Sequence, residues 1–435
     1  MPLFIGLDLG TSGCRTIAIN EEGLVKGEAY TDLPAPKRAG AAVEQLPSLW
    51  WQAIEEVLRP LTRQIDTSQV HSLCVDATSS TVLVIDEQGI PLAPALMYND
   101  ARAQSQAELI HKIAPRDSAA QGASATLAKL LWFKEQGTLN AGAPCHQADW
   151  IVGRLCGEYH VSDINNCLKL GYDPVAKQWP SWLDKAGVTR EWLPRVVNPG
   201  TTIGVLLPPL SESLSLPAAT KIVAGTTDST AAVIASGAQH IGEAVTCLGS
   251  TLVIKVISDK AIVAPEHGVY SQPLGDVWLV GGASNSGGSV LLKYFNKAQL
   301  QQMTPLLHPL QPTGLDYYPL AQSGERFPIN DPDMAPRVSP RPDSDVEFFQ
   351  GLLEGIARIE KRGYDLLHSL GAPYPRKIFT NGGGAVNEPW RCIREKMLNT
   401  AVAQARHLQA AYGAALIALR AYQQSSSPTE GDICI

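Results

Sequence analysis

No stretch of this 435-residue chain stays apolar for the roughly 18 residues that a membrane-crossing helix requires. Basic charge is also in short supply. There are 35 Lys and Arg residues against 42 Asp and Glu, a formal net charge of -7, and no basic cluster runs beyond a couple of residues. Nucleic-acid grooves are lined by basic patches, so nucleic acid is not an expected partner. Eight cysteines are present: Cys14, Cys74, Cys145, Cys156, Cys167, Cys247, Cys392 and Cys434. They form no CxxC and no Cys/His spacing, so a disulfide framework and a zinc site both lack their pattern. Reduced thiols in a cytoplasmic protein are the expectation. The first residues carry no basic region and no small-residue cleavage site, and Asp8 interrupts their apolar run, which reads as a core strand. A Walker A loop, GxxxxGK[ST], is missing, and so is GxGxxG with its following acid.

What is present is a large core. Hydrophobic residues make up 45% of the chain and charged residues 18%. Single cores stop growing near roughly 250–300 residues, so two domains are expected. Apolar runs alternate with amphipathic stretches, the pattern of an α/β fold. Strands are expected at Leu3–Leu7, Thr16–Asn20, His71–Val75, Thr81–Ile85, Lys221–Val223, Ala244–Cys247, Leu252–Val256 and Lys377–Phe379. Helices are expected at Ser48–Leu58, capped by Ser48 with Pro60 beyond its end, and at Val346–Leu370 and Leu408–Tyr422. Ala35–Val43 and the Pro-rich stretch from Thr304 to Pro342 read as loops, the second one wrapping a surface.

The most informative segment is FIGLDLGTSGCRTIAI, Phe4–Ile19. Two apolar strands flank a glycine-rich turn, and Asp8 sits near the end of the first strand. Small residues let a phosphate approach backbone N–H groups. An acid at the rim of such a loop repels phosphate unless a divalent cation lies between them, so the pattern points to Mg-nucleotide chemistry. In this reading Gly10, Thr11, Ser12 and Arg15 hold phosphate and Asp8 contacts Mg²⁺, which takes one or two carboxylates and keeps several waters. An ordinary hairpin turn would use the same residue types. A weak repeat strengthens the phosphate reading: LDLGTSGCRTIAI (Leu7–Ile19) returns in outline as VTCLGSTLVIKVI (Val245–Ile257), half a chain away. Gly249, Ser250 and Thr251 form its turn, and Cys247 stands where the first copy has Asp8.

Three further groups stand out. In KIVAGTTDSTAA (Lys221–Ala232) a strand meets a helix at Asp228, where the acid is placed as a general base or as a helix cap. In TNGGGAVNEPW (Thr380–Trp390) Gly383 and Gly384 leave bare backbone for a flat ring, with Asn387 in hydrogen-bonding reach, or else they form a flexible turn. In VDATSST (Val75–Thr81) and MYNDAR (Met97–Arg102), Asp76, Thr78, Ser79, Asn99, Asp100 and Arg102 are either sugar-lining groups or hydrogen-bonded strand ends.

The ordered set DLGTSG, VDATSST, MYNDAR, AGTTDS, LGST, GER (Gly324–Arg326) and NGGG…N..W resembles the FGGY carbohydrate kinases of the sugar kinase/Hsp70/actin superfamily, over residues 3 to about 420. The chain is similar to the compact pentulose kinases of cyanobacteria and plants. The resemblance implies two actin-like (ribonuclease H-like) α/β domains with a catalytic cleft between them. Residues 1–235 would bind sugar and 236–407 nucleotide, with a helix at 408–423 packing back on the first domain and a tail from 424 to 435. It implies transfer of the γ-phosphate of ATP to a ketopentose with Mg²⁺, by a monomer or homodimer. Asp228 would be the general base, Asp8 the metal-directed acid and Thr11 the hydroxyl beside the transferred phosphate. Asp8 and Asp228 would together face the metal and, with Ser79, hold the sugar. Gly249, Ser250 and Thr251 would form the second phosphate loop, and Gly383, Gly384, Asn387 and Trp390 the adenosine pocket. Xylulokinases generally carry Gln-Met-His-Gly where this chain has Asp76-Ala77-Thr78-Ser79, closer to the Asp-x-Thr motif of ribulose kinases. D-ribulose is therefore the expected substrate, with D-xylulose as the alternative. An actin- or Hsp70-like ATPase switch and a sugar-sensing pseudokinase are the remaining readings.

Overall fold

The computed structural model describes residues 1–426; Cys434 and the expected tail beyond that point lie outside the described residues. Two six-stranded sheets organise the chain into α/β units. One unit comprises residues 1–235 and the segment that begins at Gln409, and the other comprises Ser236–Leu408.

In the first unit, β1 (Leu3–Leu9), β2 (Gly13–Ile19) and β3 (Val25–Asp32) form an antiparallel meander. Strand β4 (Val70–Ala77) lies parallel to β1 on its other side. At the far edge β5 (Thr202–Val205) runs antiparallel to β6 (Lys221–Thr227), which is itself parallel to β4. Phe4, Ile5, Leu7 and Leu9 are all fully buried, because a central strand covered on both faces reads as a continuous apolar run. The helix Pro47–Thr62 covers β2 and β3, and the helix Ala410–Ser426 covers β1, β2 and β4. A smaller sheet joins Lys37–Ala39, Ala42–Gln45, Ala95–Leu96, Val82–Ile85 and Ala143–His146.

In the second unit the same plan recurs. Strands β7 (Glu243–Leu248), β8 (Leu252–Ser258), β9 (Tyr270–Leu274) and β10 (Val277–Ser284) pair antiparallel in the spatial order β7-β8-β10-β9. On the other side of β7, β11 (Lys377–Asn381) and then β12 (Ala401–Gln404) run parallel to it. The weak sequence repeat is therefore the central hairpin of each sheet: β1–β2 in one and β7–β8 in the other.

Several elements depart from the sequence expectations. Ala35–Val43 is not a loop, because Lys37–Ala39 and Ala42–Gln45 pair as a hairpin. The first helix starts at Pro47, is preceded by Leu46 without a side-chain cap, and continues through Pro60 to Thr62. Pro60 lies near the C-terminal end with its ring exposed, and forgoes the one hydrogen bond its missing N–H would have made to the preceding turn. Strands β1, β4 and β6 extend two to four residues past their apolar runs, taking Asp8, Asp76, Thr226 and Thr227 into the ladders. The stretch from Thr304 to Pro342 is irregular, yet Tyr317, Tyr318, Leu320 and Phe327 are buried in the second core. That segment supplies core as well as surface.

The last helix of the first unit packs against β1 at close backbone distance. A methyl group on Gly6 would overlap the Ala411 carbonyl and the Ala415 amide, and one on Gly413 would overlap the Ala231 carbonyl. Backbone cannot give way as a flexible side chain can, so Gly6→Ala is expected to lower unfolding free energy by about 3 kcal/mol. Urea unfolding of the variant checks this; a midpoint equal to that of the parent would show that the helix can slide.

Candidate active site

The ladder registers bring acids together at the carboxyl-terminal ends of the first sheet. Asp8 on β1 stands opposite Asp76 on β4, and Asp76 in turn stands opposite Thr226 on β6. Two residues past Thr226 the strand gives way to the helix Asp228–Ser236, so Asp228 enters the same corner. Ligands in parallel sheets bind at these strand ends. Asp76 is fully buried, and neither of its carboxylate oxygens meets a hydrogen-bond donor from an ordinary polar group. Burial and then the charges of Asp8 and Asp228 hold its pKa well above the usual carboxylate range. Asp8 is raised by burial and by Asp228, and is partly relieved by Asp76 and Arg15. Burial and mutual repulsion thus disfavour ionising these carboxyls together. Asp228 Oδ1 accepts from the Ser229 amide at 2.6 Å.

The turn beyond Asp8 is closed by backbone: the Gly10 amide donates to the Gly13 carbonyl at 3.0 Å, and Leu33 donates to Ser12 at 2.9 Å. Thr11 is half-buried and Ser12 exposed at its rim. Arg15 lies over the Tyr30 ring at 4.9 Å. Among the described residues no group of three His, Cys, Asp or Glu is spaced to cage a metal. Asp8 and Asp228 suit Mg²⁺ instead, which takes one or two carboxylates and completes its shell with water and phosphate.

The loop after β4 is a tight turn, with the Thr81 amide donating to the Thr78 carbonyl at 3.4 Å. Thr78 Oγ1 donates to Gln147 Oε1 at 2.7 Å and lies 2.5 Å from Thr81 Oγ1. Asp76, Ala77, Thr78 and Ser80 are buried, which leaves Ser79 as the half-exposed member of the turn. Asp100 and Arg102 are framework rather than sugar-facing groups. Asp100 is fully buried and accepts from the Val43 amide at 2.6 Å and from Arg102 at 2.7 Å. Arg102 also pairs with Glu44 and lies over Trp132. Asn99 is half-buried, with an unpartnered Oδ1.

In the second unit three glycine-rich segments meet. Gly249–Thr251 is the turn between β7 and β8. Its carbonyls accept from the amides of Gly288 at 2.8 Å and Ser289 at 3.2 Å, which open the helix Gly288–Tyr294 after β10. Gly287 has φ +145°, and a methyl there would stand 2.7 Å from Thr251 backbone. Gly382, at φ +82°, comes as close to Leu248. Gly383 has open space beside it, whereas Gly384 rests on the Trp390 ring. Trp390 itself is buried, 2% exposed, with its indole donating to the Leu353 carbonyl. Its place is therefore beneath the glycine turn, not on an open pocket wall. Asn387 caps the next helix, accepting from the Trp390 amide at 3.0 Å, and its Nδ2 lies 3.5 Å from Thr304 Oγ1.

Two buried carboxylates hold these segments. Glu360 receives Arg394 through two bonds of 2.7 Å and Thr246 at 2.6 Å, while Arg394 also reaches Thr380. This network ties β7 to β11. Glu325, from the GER segment, accepts from Ser284 at 2.5 Å and from the Asn285 amide at 2.7 Å, fixing the end of β10. Sequence reasoning missed Gln147, Lys129, Glu360, Arg394 and the Ser286–Gly288 turn. The available signals were single polar residues inside apolar helical stretches and the NSGGS run.

Both halves match models of one family: residues 3–235 match the N-terminal domain and residues 244–422 the C-terminal domain of the FGGY family of carbohydrate kinases. The chain belongs to the FGGY family of carbohydrate kinases and is an ATP-dependent sugar kinase. It is 26% identical to a xylulose kinase of Escherichia coli, covering 89% of this chain and 83% of that protein. It is 23% identical to a gluconokinase of Bacillus subtilis, covering 92% and 83% respectively. A crystal structure of a xylulose kinase from Brucella ovis superposes with a TM-score of 0.88 at 25% identity, covering 97% of this chain and 91% of that one.

The acid pair has a consequence for stability. Asp76 has a folded pKa raised above its unfolded value of about 3.9. The stability it contributes is therefore full below about pH 4 and is lost as pH rises through the folded value. Asp76→Asn removes that titration while keeping the shape. The variant is expected to be more stable than the parent at pH 8 and to lose less stability between pH 4 and 8. Urea unfolding across that range checks it, and parallel curves for the two proteins would contradict it.

Proposed function

We propose that this kinase transfers the γ-phosphoryl group of Mg-ATP to the terminal hydroxyl of a ketopentose, with D-xylulose ahead of D-ribulose. The observation that carries the reading is the row of acids at the ends of β1, β4 and β6, next to the Gly10–Ser12 turn. Asp228 takes the proton of the attacking sugar hydroxyl as its oxygen bonds to phosphorus and the bond to ADP breaks. The transition state of such transfers is loose, so the proton leaves late and a carboxylate is basic enough. Asp8 and Asp228 hold Mg²⁺, which when bound offsets the phosphate charge that these acids would otherwise repel. Gly10, Thr11, Ser12 and Arg15 receive phosphate oxygens, with Thr11 beside the transferred group. Ser79 orients the sugar together with Asp8 and Asp228. Gly249, Ser250 and Thr251 form the second phosphate loop. Gly383 and Gly384 lie against adenosine, with Asn387 and Trp390 supporting that turn from beneath.

The preference for D-xylulose rests on two points. The expectation of D-ribulose was built on Asp76 and Thr78; both side chains are buried, and Thr78 is bonded to Gln147. Relatives along nearly the whole chain are named xylulose kinase. The test is ADP release with D-xylulose, D-ribulose, L-ribulose, glycerol, gluconate and no sugar. Stimulation by a ketopentose supports the reading and names the substrate; turnover independent of sugar would favour an ATPase switch, and binding without turnover a sensor.

Asp228→Ala is expected to lose sugar phosphorylation by about 10²–10⁴-fold, the range of a positioned base. Activity within about tenfold of the parent would remove Asp228 from that role. Asp8→Ala is expected to fail through metal placement and to recover in part at raised Mg²⁺. An unaltered Mg²⁺ dependence would count against it.

A further inference from the structure

Lys129 is a cation with no exposure, buried in the helix Thr126–Glu135 within the apolar run LAKLLWF. Such a group persists inside a core only when its donors are satisfied. Its Nζ donates to the Ser80 carbonyl at 2.9 Å and to the Met97 carbonyl at 2.7 Å. These carbonyls belong to the two loops that carry Ser79 and Asn99. Ser80 has φ +67°, a left-handed conformation that costs a non-glycine residue free energy unless its surroundings impose it. In a four-residue turn the third position with φ above zero normally takes glycine. Here a serine occupies it, and its carbonyl is directed onto an ammonium. Burial pulls the Lys129 pKa down to about 7, against the nearby charge of Asp100.

We infer that Lys129 is a positioning residue for the sugar: by clamping the Ser80 and Met97 carbonyls it locks the Thr78–Thr81 turn and thereby orients Ser79. This rests on the reading that sugar lies against Ser79. Lys129 does not touch substrate; it acts through the strained turn. The two bonds to the Ser80 and Met97 carbonyls hold the turn, and the strain at Ser80 supplies a restoring force that moves the turn once the clamp is gone.

Lys129→Met and the milder Lys129→Arg are compared with the parent by KM for sugar, KM for ATP and hydrogen exchange of the segment from Thr78 to Val82. The expected result is a sugar KM raised on the order of tenfold in Lys129→Met, less in Lys129→Arg, with ATP KM unchanged and faster exchange at the Thr81 amide. Adding Ser80→Gly, which adopts positive φ without strain, is expected to bring the sugar KM of Lys129→Met back toward the parent. If Lys129→Met does not fold, Lys129→Arg carries the same comparison. A parental sugar KM and parental exchange, or an equal rise in both KM values, would overturn the inference. If the parent phosphorylates no sugar, the kinase substrate reading fails on its own account. The exchange of Thr81 still decides whether Lys129 clamps the turn.

Discussion

Like charges that share a buried corner set the terms for the rest of the first unit. Asp8 and Asp76 stand opposite one another on neighbouring strands, and Asp228 begins the helix after the third. Three carboxylates this close cannot all stay ionised without an opposing charge. Arg15 relieves Asp8 in part, and burial with the neighbouring charges favours the protonated form of Asp76. On the proposed reading a divalent cation with its phosphate ligand would supply the same relief. The corner would then be unfavourable when empty and favourable when it holds a cation.

The architecture repeats itself but the chemistry does not. Each sheet has a central hairpin with parallel strands beside its first strand, and each hairpin turn is glycine-rich. In the first unit the ladder beside the turn carries Asp8 and Asp76. In the second the corresponding pair is Cys247 opposite Asn381, neutral groups that place no charge against a phosphate. The second turn is instead held from outside, by Gly287 and Gly382 packed against backbone and by Glu360 and Glu325 anchoring the strands beneath. One hairpin contributes acid and the other contributes shape.

Much of this was legible in the sequence, and what was legible has a physical pattern. Seven of the twelve strands in the two six-stranded sheets announced themselves through apolar runs, β3, β5, β9, β10 and β12 did not, and the repeat around Gly10 and Gly249 located the two hairpins. Strand ends were underestimated because Asp8, Asp76 and Thr226 are polar residues inside ladders, where function overrides the apolar period. Asp100 and Arg102 stayed open between sugar-lining and strand-end roles because spacing along the chain cannot tell an exposed pair from one that braces Val43 and Glu44. Trp390 fell to the same ambiguity, since a tryptophan beside a glycine run can cover a ligand or support the turn, and burial alone decides. Lys129 and Gln147 escaped notice because their partners are carbonyl and amide groups brought near only by folding.

The same distinction bears on which sugar is bound. A loop motif read along the chain assigns specificity to its most unusual side chains, here Asp76 and Thr78. In the fold those two face inward, one toward Asp8 and the other toward Gln147, and Ser79 is the half-exposed member of the turn. A hydroxyl such as Ser79 donates and accepts and so discriminates weakly between epimers, whereas a fixed donor or acceptor rejects a misplaced hydroxyl strongly. If the sugar lies against this turn as proposed, discrimination between two ketopentoses belongs less to the identity of the Asp-x-Thr residues than to how rigidly the turn is held. Two enzymes with different residues at the Asp76 position can then share a substrate, provided that their turns present the same surface.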